Sequence, residues 1–357
     1  MPKSLNHIWS EFASWENWLL AYRRCLRRKR YKPYACEFAF DWEVRLTQLR
    51  KEVITHKWSP GAYYQFSIVD PKPRVISAAP FRDRIVHHAL VNVLEPFFER
   101  RFIFDSYACR KGKGTHAAIK RAQYYQRRHK LYLKTDIVKF FPNIDHHLLR
   151  SQFHRLIRDS AILQIIDTVI QSGSTVVSNP LEPTWYPGDD LFSVLRPKGI
   201  PIGNLTSQFF ANVFLDPVDH AMKETVRIPG YIRYADDILF FGDSKEQLWE
   251  ACGKLKGILC GLRLSLHQDK TFVGQSDQGV RFLGCRVFPH QRRLAQTSLN
   301  RMQKRIRRWR QQAKERKVDF PEIRSSLQSW DSYARFCNSK MIRRRINKSL
   351  RLRFGKS

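Results

Sequence analysis

The sequence predicts a mixed fold, of the α/β or α+β class, in which helices and strands share one architecture. Helical and strand-like segments alternate along the 357 residues without a regular repeat, which argues against a solenoid or a helix bundle. Apolar residues make up 43% of the chain and aromatic residues 13%, so the chain can bury a sizeable core and is not a disordered basic protein. At this length we expect two to three domains.

The N-terminal part is predicted to consist of helices around one hairpin. Residues 4–30 have apolar residues at helical spacing and end in a run of basic residues, and a second helix is expected over 38–57. Alternating apolar residues over 64–76 surround a basic tip that contains two prolines, which is the pattern of a β-hairpin. Residues 81–101 return to helical spacing.

Strands and helices are predicted to alternate in the middle of the chain. A helix is expected from the glycines at 112–114 to about residue 128, and Leu131 then begins a short apolar strand that ends at Asp136. Residues 173–201 are rich in Gly, Pro, Ser and Asp, which predicts a loop or hairpin insertion. The later elements are predicted as a helix over 204–223, a strand, turn and strand over 231–242, a helix over 245–260, and short strands near 270–274 and 280–288.

The charge of the chain predicts a polyanionic partner. Lys and Arg number 64 against 32 Asp and Glu, which gives a formal net charge of +32 and an isoelectric point near 10.2. Residues 291–357 alone hold 21 Lys and Arg against 4 Asp and Glu, at helical spacing, with aromatic residues between them. Because basic residues surround the aromatic ones, this pattern favours contact with a nucleic-acid backbone over an amphipathic membrane helix.

Membrane insertion and secretion are not indicated by the sequence. No stretch approaches the roughly 20 apolar residues that a transmembrane helix needs, and the N-terminus lacks the apolar region of a signal peptide. The seven cysteines include no C-x-x-C pair, so neither a disulfide framework nor a zinc site is suggested. We expect a protein without membrane contact in a reducing, cytoplasmic setting.

Acidic residues at strand ends are the clearest chemical signal. Tyr234-Ala235-Asp236-Asp237 lies between two apolar segments, and paired carboxylates in such a turn are unfavourable unless a cation compensates them. The alternative is that the two aspartates only provide favourable turn chemistry. Asp136 is a third acid at the end of an apolar strand. Three such acids could hold two Mg²⁺ ions, which would activate a 3′-hydroxyl and stabilise a leaving pyrophosphate.

These residues resemble the motifs of reverse transcriptases. Asp136 with Phe140-Phe141 is similar to motif A, and Tyr234-Ala235-Asp236-Asp237 is similar to motif C. Further matches occur in the family's order and, with these, span about residues 60–290: Pro73-Arg74-Val75-Ile76, Arg82-Asp83-Arg84-Ile85, Tyr107-Ala108-Cys109-Arg110-Lys111-Gly112, Lys270-Thr271 and Phe282-Leu283-Gly284. The resemblance implies an RNA-directed DNA polymerase.

The same resemblance implies an α+β fold shaped like a right hand. Residues 1–129 would form N-terminal helices and the fingers, residues 130–290 the palm with an antiparallel sheet, and residues 291–357 a short, basic, helical thumb. Template RNA, the RNA–cDNA duplex and dNTPs would be its partners, with two Mg²⁺ ions as cofactors.

Site residues are implied by position in the matched motifs. Asp136, Asp236, Asp237 and the main-chain carbonyl of Ile137 would bind the metal ions. Lys270 would be the general acid for pyrophosphate, with a plain surface lysine as the alternative. Residues that would bind the incoming dNTP include Lys72 and Arg74 at the triphosphate, Phe141 as a steric gate against a 2′-hydroxyl, and Ile202, Gly203 and Gln208 of motif B.

Motif B indicates a subtype. Residues 201–208 contain Ile-Gly-x-x-x-Ser-Gln, which resembles reverse transcriptases of diversity-generating retroelements. That family copies a template-repeat RNA into cDNA with frequent errors at adenines for mutagenic retrohoming, with a small basic pentameric accessory protein, in bacterial, phage or archaeal hosts. Ile202 replaces the usual Gln and so loses a hydrogen-bond donor, or it only packs the floor of the pocket. The alternatives are a retron-like or defence-associated reverse transcriptase, or a catalytically silent RNA-binding protein.

Overall fold

The structure is a computed structural model that describes residues 4–68, 73–174, 184–315, 317 and 319–349. Within these residues the strands are β1 (Tyr64–Ile68), β2 (Arg74–Ala78), β3 (Leu131–Asp136), β4 (Gly230–Tyr234), β5 (Asp237–Gly242), β6 (Phe272–Gln275), β7 (Val280–Phe282), β8 (Cys285–Val287) and β9 (Arg292–Leu294). The α-helices of the first half are α1 (Trp9–Ala13), α2 (Trp15–Leu26), α3 (Pro33–Ala39), α4 (Trp42–Ile54), α5 (Phe81–Arg101), α6 (Thr115–Gln126), α7 (Phe140–Asn143), α8 (His146–Leu156) and α9 (Ser160–Ser174). Those of the second half are α10 (Leu191–Val194), α11 (Leu205–His220), α12 (Lys245–Gly261), α13 (Gln296–Lys314), α14 (Phe320–Arg335) and α15 (Lys340–Ser349).

Three antiparallel sheets organise the described part of the chain. The central sheet has the strand order β4-β5-β3-β6, with β3 paired to β5 from Leu131 opposite Gly242 to Asp136 opposite Asp237. Strands β1 and β2 form a separate hairpin, and β7, β8 and β9 form a three-stranded sheet. This combination of helices with antiparallel sheets is the predicted α+β class.

Both faces of the central sheet pack against buried residues, which explains why its inner strands β3, β4 and β5 are mainly apolar. Leu133, Ile238 and Phe240 belong to a large core shared with the N-terminal helices and with α5, α8, α9, α11 and α12. The alternate residues Leu239 and Phe241 belong to a second core shared with α6, β7 and β8. Because side chains of a strand point to opposite faces in alternation, β3, β4 and β5 contribute to both cores.

The structure corrects the two predicted N-terminal helices. The helix expected over 4–30 is two helices, α1 and α2, because Ser14 has an extended backbone and its side-chain oxygen accepts a hydrogen bond from Asn17 N–H at 3.2 Å, which caps α2. The helix expected over 38–57 is likewise divided into α3 and α4. The hairpin of β1 and β2, termed the fingers hairpin because it lies in the part of the chain predicted as fingers, is where it was predicted, as are α5, β3, β4 and β5.

The predicted insertion at 173–201 is partly helical. Helix α9 extends to Ser174 and α10 lies within the insertion, whereas residues 175–183 are outside the described residues. Arg263 forms ion pairs with Asp189 of this segment and, at 3.4 Å, with Asp145 at the start of α8, and so connects the segment to α8. Helices α8 and α9 fill a stretch for which no element was predicted, and Phe153 and Ile166 bury them in the large core.

The basic C-terminal segment is helical, as expected, after one strand. Strand β9 pairs with β8, so the helical part begins at Gln296 and not at residue 291. Met302, Ile306 and Trp309 form the buried stripe of α13 and pack against α14 and α15, while most of its basic residues are exposed. None of the helices in the described ranges is long and apolar enough to cross a bilayer.

Candidate active site

A tight turn between two central strands brings the three predicted acids to one end of the sheet. Strand β4 ends at Tyr234, Ala235 takes a left-handed conformation with φ 55°, and β5 begins at Asp237. Asp136 lies directly opposite Asp237 in the β3–β5 register. The backbone N–H of Ile137 donates to the Asp236 carbonyl at 3.2 Å, which holds the end of β3 against the turn.

Burial raises the pKa of two of these carboxyl groups. For Asp236 burial is the largest cause, and together with the charges of Asp136 and Asp237 it raises the pKa to about 6, against the opposing effects of a backbone hydrogen bond and the Arg74 guanidinium. Burial also raises the pKa of Asp237, with Lys134 acting against the shift and Asp136 adding to it. Carboxylates that disfavour one another's charged form in this way are stabilised by a bound cation.

Two lysines form ion pairs with the acids and offset part of their negative charge. Lys270 Nζ lies 2.6 Å from Asp136 Oδ1, and Lys134 Nζ lies 3.5 Å from Asp237 Oδ1. Across the described part of the chain, no three acidic, histidine or cysteine side chains gather around one point that a metal ion could occupy. Asp136 would therefore have to exchange Lys270 for an ion.

The donor set itself fits Mg²⁺. Three carboxylates and the main-chain carbonyl of Ile137 are oxygen ligands, which is what Mg²⁺ prefers, and they project from a sheet whose core is fully packed. Asp136, Asp236 and Asp237 are the residues that could hold such an ion. The raised pKa values of Asp236 and Asp237 show that this end of the sheet disfavours bare negative charge.

A buried arginine contacts the turn that carries Asp236, and it was not predicted from the sequence. Arg233 is fully buried and its guanidinium donates to both carboxylate oxygens of Asp219, at 2.7 and 2.6 Å. The same guanidinium donates to Asn212 at 3.2 Å and to the Ala235 carbonyl at 3.3 Å. Helix α11, which carries Asp219 and Asn212, is thereby connected to the turn that carries Asp236. The only signal in the sequence is a charge at an inward-facing strand position, and its partner depends on tertiary packing.

The residues predicted to bind a nucleotide come from two sides of the site. Arg74 begins β2 and is exposed, and its charge acts on Asp236. On the palm side, the backbone N–H of Ile200 donates to the Phe141 carbonyl at 3.0 Å, which places Phe141 beside the segment that carries Ile202 and Gly203. The structure thus places Arg74 within electrostatic reach of Asp236, and Phe141 beside the segment that carries Ile202.

Gln208 and Lys72 are the last two residues predicted to bind the nucleotide. Gln208 is exposed in the first turn of α11, and its backbone N–H donates to the Asn204 carbonyl at 3.4 Å. Lys72 lies outside the described residues.

An antiparallel sheet with three acids at one end, a separate two-stranded hairpin before it and a basic helical module after it is the architecture of a right-hand polymerase. The family model described as reverse transcriptase (RNA-dependent DNA polymerase) matches residues 69–287, more than half of the chain. The chain belongs to the reverse transcriptase family, which is a family of RNA-directed DNA polymerases. The predictions of a reverse transcriptase, of its fold class and of its enzyme class are thereby confirmed, and the diversity-generating subtype stays a prediction.

Several curated proteins are similar to this chain. Protein YkfC of Escherichia coli (strain K12) is 25% identical over 68% of this chain and 71% of its own length. The putative COX1/OXI3 intron 2 protein of Saccharomyces cerevisiae is 22% identical over 70% of this chain and 35% of its own length. The group II intron-encoded protein LtrA of Lactococcus lactis is 23% identical over 60% of this chain and 44% of its own length.

One solved structure is similar to this chain at a lower sequence identity. The telomerase of Candida albicans, in complex with a fragment of telomeric RNA, matches with a TM-score of 0.46 and 12% identity, over 74% of this chain and 52% of that chain.

Proposed function

We propose that this chain copies RNA into cDNA at the site formed by Asp136, Asp236 and Asp237. The observation that carries the proposal is the convergence of these acids at one sheet end, where burial and mutual repulsion favour a cation. Two Mg²⁺ ions held there would activate the primer 3′-hydroxyl and stabilise the leaving pyrophosphate. The three carboxylates and the Ile137 carbonyl would hold them.

Residues of the chain would orient the nucleotide, and one of them would donate a proton to the leaving pyrophosphate. Arg74 and Lys72 would bind the triphosphate, since charge-assisted contacts to phosphate oxygens are strong. Phe141 would lie under the sugar, and Ile202, Gly203 and Gln208 would line the base side. Lys270 Nζ, now on Asp136, would be released when a cation takes its place and would then give its proton to the pyrophosphate.

For the biological role we propose a diversity-generating reverse transcriptase. The support is Ile202, which stands in the Ile-Gly-x-x-x-Ser-Gln pattern, two residues after Ile200, whose backbone N–H donates to the Phe141 carbonyl. The template would be a template-repeat RNA copied with errors at adenines, and a small basic pentameric protein would be the accessory partner. An intron-type reverse transcriptase is a second candidate, favoured by the names of the yeast and LtrA relatives. A retron-like or defence-associated role is the third.

Ile202→Gln is expected to lower misincorporation opposite template adenine about two- to tenfold, and to change errors opposite other bases less. The restored hydrogen bond, of roughly 0.5–1.5 kcal/mol, would disfavour a badly fitted nucleotide. The measurement is sequencing of cDNA made on one defined RNA. Ile202→Leu keeps an apolar side chain and is the control. Equal error spectra for wild type and Ile202→Gln, or a wild type without excess errors at adenines, would contradict the proposed subtype.

The basic thumb is proposed to bind the template–cDNA duplex through phosphates. Affinity should then fall with salt by about 0.7–0.9 log units per log unit of salt for each phosphate neutralised. Neutralising three exposed thumb residues to Gln should reduce this slope by up to about 2–3, whereas three exposed residues of α12 should leave it unchanged. The thumb residues are Lys304, Arg307 and Arg344, and the control residues are Lys245, Lys254 and Lys256. Fluorescence titrations at several salt concentrations measure both slopes, and identical slopes would contradict thumb binding.

A further inference from the structure

A short palm segment runs along the open edge of the fingers hairpin. The backbone N–H of Ser77 in β2 donates to the Ile202 carbonyl at 2.9 Å. The side-chain amide of Asn204 then makes two more hydrogen bonds: its Nδ2 donates to the Ser77 carbonyl at 3.0 Å, and its Oδ1 accepts from Ala79 N–H at 3.1 Å. Asn204 thus continues the ladder of β2 on the side away from β1, with its side chain in place of a strand backbone.

Asn204 makes these contacts instead of its usual local one. It is the N-cap residue of α11, a position where an Asn side chain ordinarily accepts a hydrogen bond from the first turn of its own helix. Here the side chain makes no such bond, and it is only 4% exposed. The side chain of Asn204 therefore serves the contact between palm and fingers and leaves the helix end uncapped.

The contact is also tight. A Cβ on Gly203 would lie 2.7 Å from Ile76 Cγ2, and Gly203 has φ 121°, so only glycine fits between the palm segment and β2. The rest of the hairpin is little buried: all of β1 is exposed, and of β2 only Ser77 is buried. The hydrogen bonds with residues 202–204 therefore connect the buried part of β2 to the palm.

We propose that Asn204 is a positioning residue that holds the fingers hairpin over the palm and thereby sets the affinity for the incoming nucleotide. This inference rests on the proposed function, because it takes Arg74 on β2 as the triphosphate ligand. Arg74 lies three residues before Ser77 on the same strand. Loss of the Asn204 bonds would let β2 and Arg74 move relative to Asp236, so that nucleotide binding weakens while the acids stay in place.

Two variants test this without depending on one substitution. Asn204→Ala removes both side-chain bonds. Asn204→Asp keeps an acceptor for Ala79 and is a good N-cap for α11, but it sets a carboxylate against the Ser77 carbonyl. Both variants should release the hairpin, whereas only the first shortens the side chain. Asn17→Ala is the matched control: Asn17 in α2 is a buried Asn whose Nδ2 also donates to two carbonyls, those of Phe12 in α1 and Ala89 in α5.

Hydrogen exchange measures the contact without reference to activity. In the wild type the amides of Ser77 and Ala79 should be protected, and both Asn204 variants should exchange them at least about tenfold faster, since opening no longer breaks the Asn204 bonds. The exchange rates of the β3 amides should be unchanged in both Asn204 variants. The exchange rates of the amides of residues 74–79 should be unchanged in Asn17→Ala. Equal protection of Ser77 and Ala79 in wild type and variants would overturn the inference.

Single-turnover incorporation measures the consequence for the nucleotide. We expect the KM for dNTP to rise about tenfold in both Asn204 variants, with kcat reduced less than twofold and affinity for the RNA–DNA duplex unchanged. Asn17→Ala should keep the wild-type KM. A fall in kcat at constant KM, or the same KM rise in Asn17→Ala, would overturn the inference alone. A wild-type protein that incorporates no dNTP would instead overturn the proposed function, and the exchange result would still stand.

Discussion

Asp236→Asn is expected to reduce nucleotide incorporation on an RNA template by about 1,000-fold or more. A ligand to the proposed ions contributes several kcal/mol to the reaction barrier, and each 1.4 kcal/mol is a factor of ten in rate. Radiolabelled dNTP incorporation on a primed RNA, with Mg²⁺ in excess, measures the loss. Residual activity above a few per cent would remove Asp236 from the site.

The same variant should fold at least as well as the wild type. Because burial and the neighbouring acids raise the pKa of Asp236 to about 6, its charged form is disfavoured in the folded state at neutral pH, and a neutral amide removes that cost. Thermal unfolding should therefore give an unchanged or higher Tm, with RNA binding retained. Asp243→Asn is the matched control: Asp243 follows the other end of β5 and accepts a bond from Lys130 N–H, which an Asn also accepts.

The acids could be predicted from sequence because the signal is local. Asp236 and Asp237 sit in a turn between two apolar strands, and a hairpin of consecutive strands brings its own ends together. Asp136 is a different case, since its place beside them depends on β3 pairing with a strand a long way along the chain. The family resemblance, and not the strand pattern, provided that pairing.

The side-chain partners could not be predicted, because they come from distant elements. Lys270 was assigned to the leaving group by its motif, yet it contacts Asp136, 134 positions away. Arg233 required an acid, and Asp219 supplies it from α11. Asn204 has the sequence signature of a helix cap, and only the packing of β2 against it shows a different use. At Arg233 and Asn204, tertiary contacts therefore outweighed what local sequence propensity predicts.

The predicted boundaries of the first helix were wrong for a related reason. The apolar spacing over 4–30 continues through Ser14, so periodicity alone predicts one helix, whereas the Ser14 cap turns the chain. The strands of the central sheet were predicted at the right positions, because burial on both faces gives them short apolar runs that do not depend on helix caps.

Phe141→Ala is expected to lower the preference for dNTP over NTP by about 10- to 100-fold. The Phe141 carbonyl accepts a hydrogen bond from Ile200 N–H and its ring packs against Phe140 with centroids 5.5 Å apart, so neighbouring residues hold both its backbone and its ring. A ring fixed there excludes one extra hydroxyl by steric overlap, which in a packed pocket amounts to about 1–3 kcal/mol.

Removing the ring should act on sugar selection more than on synthesis. Single-turnover kcat/KM values for a dNTP and its ribose counterpart on the same primed RNA give the ratio directly, and the dNTP value should fall less than the NTP value rises. Phe141→Tyr keeps the ring and should keep the wild-type ratio. If Phe141→Ala and wild type discriminate equally, Phe141 is a packing residue of the palm, and the sugar must be read by another side chain near Ile202.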